Sequence, residues 1–493
     1  MPLFKKYSEV IDYIDPIKYM GIVKKQVGLM IEAEGPQTEI GELCYIRLSI
    51  PGKERLIPAE VVGFNNQSVV LMPYEDINGI YPGAEVMSTG GPLHIDISEK
   101  LLGRIINGIG KSIDKKEDIF TQKKYSIFRN PPNPLDRKQI TKPLVTGIRS
   151  IDAFTSVGEG QRIGIFSGAG VGKSTLLGMI ARHSEADVNV IALIGERGRE
   201  VKEFLVRDLG EEGLAKSVVV VATGEKTPLM RIRGAFVATT IAEYFRDKGL
   251  NVALYLDSVT RLARAQREIG LAVGEPPATG GFTPSVFSML PRLLERAGKS
   301  KNGSITGIYA VLVEGDDFSE PVTDTVQGIL DGHIKLSRQL AEKNHYPAVD
   351  VLGSISRLMV NITSKDFRLV AGFIREHMAI YKENEDMIKM GAYQRGTDPK
   401  IDRAIELQQR LNDFLRQGMF EHSTLQETGD KLFQLLKRSE RNGLRFDSKR
   451  DFPGYYIIEK KKDQANKTIQ GFDFEAEEQV RNPIFDEYKT GLN

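Results

Sequence analysis

In Ile163–Ala181, IGIFSGAGVGKSTLLGMIA, an apolar run (Ile163, Ile165, Phe166) suited to a buried parallel strand meets a loop with Gly168, Gly170 and Gly172, and a helix begins near Lys173. Strand, glycine loop and helix N-terminus in that order make a phosphate cradle. Glycines without Cβ atoms let successive backbone N–H groups converge on an anion, the helix end adds its positive pole, and Lys173 reaches the β/γ-phosphates. Ser174 is then placed to hold Mg²⁺. The candidate nucleotide-binding residues are Gly168, Ala169, Gly170, Val171, Gly172, Lys173, Ser174 and Thr175. Ser167 stands where the strict G-x-x-x-x-G-K-[ST] pattern has glycine, so the strand-loop-helix context carries the assignment. A glycine-rich turn that only caps a helix is the plain alternative, but Gly-Lys-Ser at the mouth of a helix after a buried strand is seldom needed for packing.

Outward from the cradle, apolar β-branched runs recur at Val188–Ile194, Val218–Ala222, Val252–Leu256 and Tyr309–Val313, with helical patterns such as Met230–Lys248 between them. Such alternation predicts a parallel sheet covered by helices on both faces, with ligands at the carboxyl ends of the strands. Two of these runs end in chemistry. Val252–Leu256 is followed by Asp257, a carboxylate suited to accept a hydrogen bond from a Mg²⁺-bound water, although a lone Asp after a strand is often only a helix cap. Val190–Ile194 is followed by Gly195-Glu196-Arg197, where Glu196 could polarise an attacking water and Arg197 could read a γ-phosphate. A surface ion pair with the neighbouring Arg199 and Glu200 is an open alternative there.

The flanks differ in character. Residues 20–92 hold short β-rich runs between turns such as Glu34-Gly35-Pro36, Pro51-Gly52 and Pro82-Gly83, which predicts a small barrel or sandwich. Its aromatics (Tyr45, Phe64, Tyr74, Tyr81) are sparse and its acids as frequent as its bases, which fits an assembly collar better than a nucleic-acid reader. The central α/β unit is expected over residues 93–372, opening with a poorly periodic connector that ends in Pro131-Pro132-Asn133-Pro134. Residues 373–437 read as a helical domain, with Ile401, Ala404, Ile405, Leu411, Phe414 and Leu415 on one face. Residues 438–493 are charged and weakly periodic, which predicts a loosely held or partner-ordered tail. Residues 1–19 carry Leu3, Phe4, Tyr7, Ile11 and Ile14 at near-helical spacing. Such a segment can bind a partner helix or a membrane surface, or pack on its own domain, and its sequence leaves these open.

Composition narrows the function classes. A chain of 493 residues suggests roughly three domains. Lys and Arg total 67 against 66 Asp and Glu, a formal charge of +1, so no global field favours nucleic acid or an acidic membrane. The single cysteine, Cys44, excludes a disulfide framework and a cysteine-rich zinc site, consistent with a reducing cytosol. The histidines (His94, His183, His333, His345, His377, His422) show no metal-ligand spacing. No stretch approaches the roughly twenty apolar residues of a spanning helix, and no secretory apolar core begins the chain, so a cytoplasmic protein is expected.

Together SGAGVGKST (167–175), GERGREVKEF (195–204), LDSVTRLARAQREIGLAVGEPPAT (256–279), LVEGDDFSEPVTDTVQGILDGHIKLSR (312–338), HYPAVDVLGSISR (345–357) and GAYQRGTDPKID (391–402) resemble the flagellar and type III secretion ATPases, relatives of the catalytic subunits of rotary ATP synthases. The resemblance runs from about Met20 to Gln417. It implies a multidomain α/β protein with an N-terminal β-barrel, a central RecA-like P-loop unit and a C-terminal helical domain. It also implies ATP and Mg²⁺ as cofactors and a homohexamer that powers protein export. By resemblance, Lys173 and Ser174 bind phosphate and Mg²⁺, Glu196 is the general base, Arg197 and Arg261 lie near the γ-phosphate, and Asp257 is the metal-side carboxylate. Tyr346 resembles the aromatic that stacks on adenine, with a packed turn residue before Pro347 as the alternative. Arg357 matches an arginine finger that reaches a neighbouring subunit's nucleotide.

The same resemblance implies a regulator or stator protein at the N-terminal segment, contacts with an export gate and cargo-chaperone complexes, and a place at the inner-membrane export apparatus, with no nucleic-acid partner. GEPPAT and EGDD look like the secretion branch, and the helical domain lacks the acidic lever sequence of rotary β subunits. The competing expectations are a catalytic or nucleotide-binding subunit of a rotary or vacuolar-type ATPase, a noncatalytic ring subunit, and an RNA-translocating hexamer.

Overall fold

A computed structural model describes residues 20–50, 53–121, 123–441 and 445–453. The N-terminal segment 1–19 and the tail beyond residue 453, for both of which the sequence raises partner binding, lie outside the described residues.

Six strands, β1 (Met20–Val27), β2 (Met30–Glu34), β3 (Glu42–Ile50), β4 (Lys53–Asn65), β5 (Ser68–Pro73) and β6 (Glu85–Pro92), close into a barrel in the order β1-β2-β5-β4-β3-β6. Closure decides between the barrel and sandwich that the sequence left open. Side chains alternate along each strand, so Cys44, Ile46 and Leu48 of β3 meet Ile57, Ala59 and Val61 of β4 inside. Arg47 points outward and pairs with Glu54 and Glu85 on either side.

The barrel is fastened to the central unit by a buried polar cluster. Glu60 on β4 accepts from Tyr74 Oη at 2.6 Å and from Arg233 Nε at 2.8 Å, and its second oxygen also takes Arg233 Nη2. Arg233 stacks over Phe128 and Phe236. Glu60 is 2% exposed, and stripping one member from a buried ion pair costs about 3–5 kcal/mol, because the other is left desolvated and unpaired. A second buried pair, Arg296 with Glu243, also donates to the Ile127 carbonyl at 2.8 Å and pins the connector.

The central sheet is built on β7 (Ile105–Asn107), β8 (Arg162–Ser167), β9 (Val188–Ile194), β10 (Ser217–Ala222), β11 (Asn251–Asp257), β12 (Ser304–Leu312), β13 (Gly332–Leu336) and β14 (Val349–Ser356). Their order across the sheet is β14-β13-β8-β12-β11-β9-β10-β7, with the short strand Gly298–Lys299 paired to β12 off this path. All pairs along the path are parallel except β13 with β14. The interior strands are buried on both faces, as β-branched runs without alternation require. The connector contributes one strand to the sheet edge, β7 against β10, in a stretch too short to show a period.

Helices α1 (Lys173–His183), α2 (Pro228–Asp247) and α3 (Val259–Ala272) cover the sheet. Beyond it, α4 (Lys365–Lys389), α5 (Pro399–Leu415) and α6 (Leu425–Gln434) form the helical region. The buried face of α5 is Ala404, Leu407, Leu411, Phe414 and Leu415, so Leu407 takes the place that the sequence pattern gave to Ile401 and Ile405, which are only half-buried. Packing also continues past residue 437, where the sequence suggests that a tail begins. Phe446 and Phe452 are buried against Phe367 and Phe433, with the rings of Phe367 and Phe452 4.8 Å apart. Ser364, which caps α4, bonds Asp451 through both its hydroxyl (2.6 Å) and its backbone N–H (2.7 Å). Among the described residues no helix is long and apolar enough to cross a membrane.

Candidate active site

Strand β8 delivers the loop 168–172 to the carboxyl edge of the sheet, and α1 starts immediately after it. Gly172 caps α1 in a left-handed conformation (φ +97°), which a side chain would strain. A Cβ there would also stand 3.5 Å from the Tyr346 ring, in the space where two cavities meet. One, of 450 Å³, is lined by the glycine loop, Lys173, Ser174, Thr175, Glu196, Arg197 and Arg261. The other, of 300 Å³, lies between Tyr346 and α1. Gly172 and Thr175 border both.

Lys173 Nζ is bonded to Asp257 Oδ1 at the end of β11, a carboxylate only 2% exposed, and stands 3.9 Å from Glu196 Oε1. Glu196 follows the end of β9. Arg261, on the first turn of α3, grips it with a two-pronged contact, Nε to Oε1 at 3.0 Å and Nη2 to Oε2 at 3.1 Å. Gly195 makes the contact geometrically accessible, since a Cβ there would press to 2.9 Å on Arg261 Cδ. Burial, reinforced by the nearby Asp257 carboxylate, pushes Glu196 up to about 7 against the opposing pull of Lys173 and Arg261. A carboxylate poised near neutrality is matched to proton transfer at ordinary pH. Glu200 beside it is held below the usual range, chiefly by a hydrogen bond with Glu196.

Arg197 is different. Its side chain is 79% exposed and lies 3.7 Å from Glu200, at the cleft mouth and not beside Lys173. The surface ion pair that the sequence left open is therefore present, although the residue still borders the cleft. Val171 is buried, so only its backbone faces the loop.

The second cavity is apolar on most sides. Leu176 and Met179 of α1, Leu336 of β13, Tyr346, Ala348 and Met419 line it, together with Gln417. Tyr346 is 43% exposed, and its carbonyl accepts the Gln417 N–H at 2.9 Å. An apolar slot walled by an aromatic ring is chemically suited to a flat ring system. Neither Gln417 nor Met419 was singled out in the sequence. The run that follows α5, RQGMFEHS, reads only as a helix end.

Arg357 is nowhere near this cleft. It is exposed just after β14, and its N–H donates to the Asp331 carbonyl at 3.0 Å. Asp331 pairs in turn with Arg162, the first residue of β8, while the phosphate loop leaves the last. Loop and arginine are thus at opposite edges of one sheet, separated by the length of a six-residue strand, roughly 20 Å.

Where α1 ends, His183 packs against His422 with the rings tilted and their centres 5.2 Å apart. Burial, then the charges of Arg182, His422 and Lys216, push His183 down to about 4, against a hydrogen bond with the Met419 backbone. An unfolded histidine titrates at 6.5, so between these values the unfolded chain binds the extra proton and stability falls as pH drops from 6.5 toward 4, with no contribution above 6.5. Thermal unfolding should therefore occur at lower temperature near about pH 5 than near about pH 7, and His183→Gln should flatten part of that decline.

Three family models match the chain: the nucleotide-binding domain of the ATP synthase alpha/beta family over residues 147–356, its beta-barrel domain over 23–90, and the T3SS EscN ATPase C-terminal domain over 363–434. The Flagellum-specific ATP synthase of Treponema pallidum is 51% identical over 433 residues, 88% of this chain and 96% of that protein. The assembled ATPase EscN of the enteropathogenic E. coli type III secretion system superposes with a TM-score of 0.79 at 45% identity, covering 84% of this chain and 99% of that one. EscN in complex with its central stalk EscO gives a TM-score of 0.78 at 44% identity, with the same coverage.

Proposed function

The chain belongs to the flagellar and type III secretion ATPases and is an ATP-hydrolysing P-loop enzyme. From that premise we propose that it acts as a homohexameric ring which couples hydrolysis of Mg-ATP to release of chaperones from cargo and to unfolding and export of that cargo. The observation that carries the catalytic part is the buried Glu196 carboxylate, gripped by Arg261 and facing Lys173 across the mouth of the phosphate loop.

In this reading the backbone N–H groups of residues 168–172 and the Lys173 ammonium bind the β- and γ-phosphates, and Tyr346 stacks on the base. The donor set fits a metal-bound triphosphate. Ser174 and Asp257 would hold Mg²⁺, which when bound neutralises phosphate charge. Glu196 accepts a hydrogen bond from the attacking water and keeps it in line, and Arg261 holds Glu196 in place for that task. Arg197 guards the entrance. Arg357 serves the adjoining subunit, because it is on the wrong edge of its own sheet to serve itself. A stalk or regulator protein, as EscN has in EscO, is the proposed partner, along with an export gate and chaperone-bound cargo at the inner membrane. The near-neutral charge and aromatic-poor barrel argue against nucleic acid as a partner.

Native mass spectrometry with parallel phosphate-release assays tests the assembly. In Mg-ATP the chain alone should form closed rings, and specific activity should rise with protein concentration as the rings form. Activity that appears only when a dissimilar subunit is added would instead assign it to the rotary type, and stimulation by RNA would favour a translocating hexamer.

A further inference from the structure

The hydrogen bonds of Arg149 go to the chain behind α5 and not to the phosphate cradle, and nothing in the catalytic proposal uses it. It is 4% exposed, and every arm of its guanidinium is engaged on one short piece of chain. Nε donates to the Phe414 carbonyl at 2.7 Å, Nη2 to the Arg416 carbonyl and Nη1 to Glu421. Its backbone N–H donates to Gln417 Oε1 at 3.0 Å. The end of α5 and the loop behind it are therefore drawn onto the segment just before the cradle strand.

Gln417 completes the link. Its two amide hydrogens go to the Gly147 and Glu421 carbonyls, each at 2.7 Å, and its own N–H goes to the Tyr346 carbonyl. With both side-chain donors committed, Gln417 cannot donate to a base edge, and its part in the slot is to fix the distance between the loop and Tyr346. From the other side, Arg182 on α1 donates to the Met419 carbonyl. The loop that walls the slot is thus suspended between two arginines.

We propose that Arg149 is a positioning residue for nucleotide binding: it sets the width of the base slot by holding Gln417 and Met419 against Tyr346, while taking no part in holding the phosphates. The proposal rests on the assignment of the Tyr346 slot to the base. It predicts that the nucleoside part of the affinity depends on Arg149 and the triphosphate part does not.

The test compares Mg-ATP with inorganic tripolyphosphate, which has no base, on the full-length enzyme. Arg149→Lys keeps the charge but loses the forked contacts. It should raise KM for Mg-ATP about tenfold with kcat within about twofold, while the inhibition constant of tripolyphosphate stays at the wild-type value. An unchanged KM, or a parallel rise in KM and in the tripolyphosphate constant, overturns the proposal. Glu421→Gln leaves Arg149 a neutral acceptor in place of a charged one and should raise KM about threefold in the same selective manner. It carries the test if Arg149→Lys does not fold, and no rise then overturns the proposal. Tyr346→Ala separates the two layers. If it leaves KM unchanged, the slot assignment falls and the proposal with it; if it raises KM while the Arg149 and Glu421 variants do not, only the proposal falls.

Discussion

Rings of the Arg357→Ala variant should assemble like the native protein but turn over ATP roughly 10³–10⁵-fold more slowly, the usual worth of an arginine supplied in trans to a developing phosphoryl charge. The expectation follows from placement. Arg357 is exposed at the edge of the sheet away from its own phosphate loop, so its removal unpacks nothing in the subunit and leaves Lys173, Glu196 and Asp257 as they are. Only a head-to-tail contact can bring it to a nucleotide, with the face that carries Arg357 against the neighbour's cleft. Mixing makes the test sharper. Arg357→Ala and Glu196→Gln are each expected to be slow alone, but in a randomly mixed ring about one interface in four joins an intact base to an intact arginine. Activity should therefore return when the two variants are combined and reassembled. Native turnover by Arg357→Ala rings, or silence in the mixture, would remove the trans contact from the mechanism.

Glu196→Gln is expected to lower kcat by about 10²–10⁴-fold, the range for loss of a positioned general base, while nucleotide still binds. The amide keeps the shape of the side chain and one acceptor for Arg261, but it cannot take up charge or accept a proton. Lys173 retains its stronger partner, Asp257, so the cradle is not disturbed. Single-turnover phosphate release gives the rate, and equilibrium binding of Mg-ATP checks that the site is still filled. A variant with near-native release would leave Glu196 as a structural partner of Arg261 and nothing more.

What could be read from the sequence follows how chemistry is spaced along the chain. The phosphate loop is contiguous, so strand, glycines, Lys173 and Ser174 announce themselves together. Glu196 and Asp257 were accessible because each ends a buried β-branched run, and strand ends of a parallel sheet converge on one edge. Arg261 follows Asp257 by one helical turn. Its grip on Glu196 was not legible, because it depends on Gly195 leaving room. Arg197, adjacent to Glu196, had an equal claim on the phosphate by position, yet the start of a helix turns it toward solvent. Arg357 is marked only by the resemblance that its SISR segment carries, with no periodicity or strand-end position to point to it, and the residues that hold the base slot were invisible for a simpler reason. Arg149 and Phe414 meet across 265 positions, and no periodicity connects them. The same holds for Phe446 and Phe452, which flank a helix of four residues, Ser448–Asp451, too short to repeat anything.

The two ends of the subunit are fastened by unlike means. At the barrel, a desolvated carboxylate is locked between a guanidinium and a phenol, and shearing that contact leaves a buried charge without its partner. At the helical end the loop hangs largely from main-chain carbonyls and from Glu421, which is 43% exposed and has water within reach. Loss of Glu60 would leave Arg233 facing Phe128, Phe236 and Tyr74 without a carboxylate, whereas loss of Glu421 still leaves Arg149 its bonds to the Phe414 and Arg416 carbonyls.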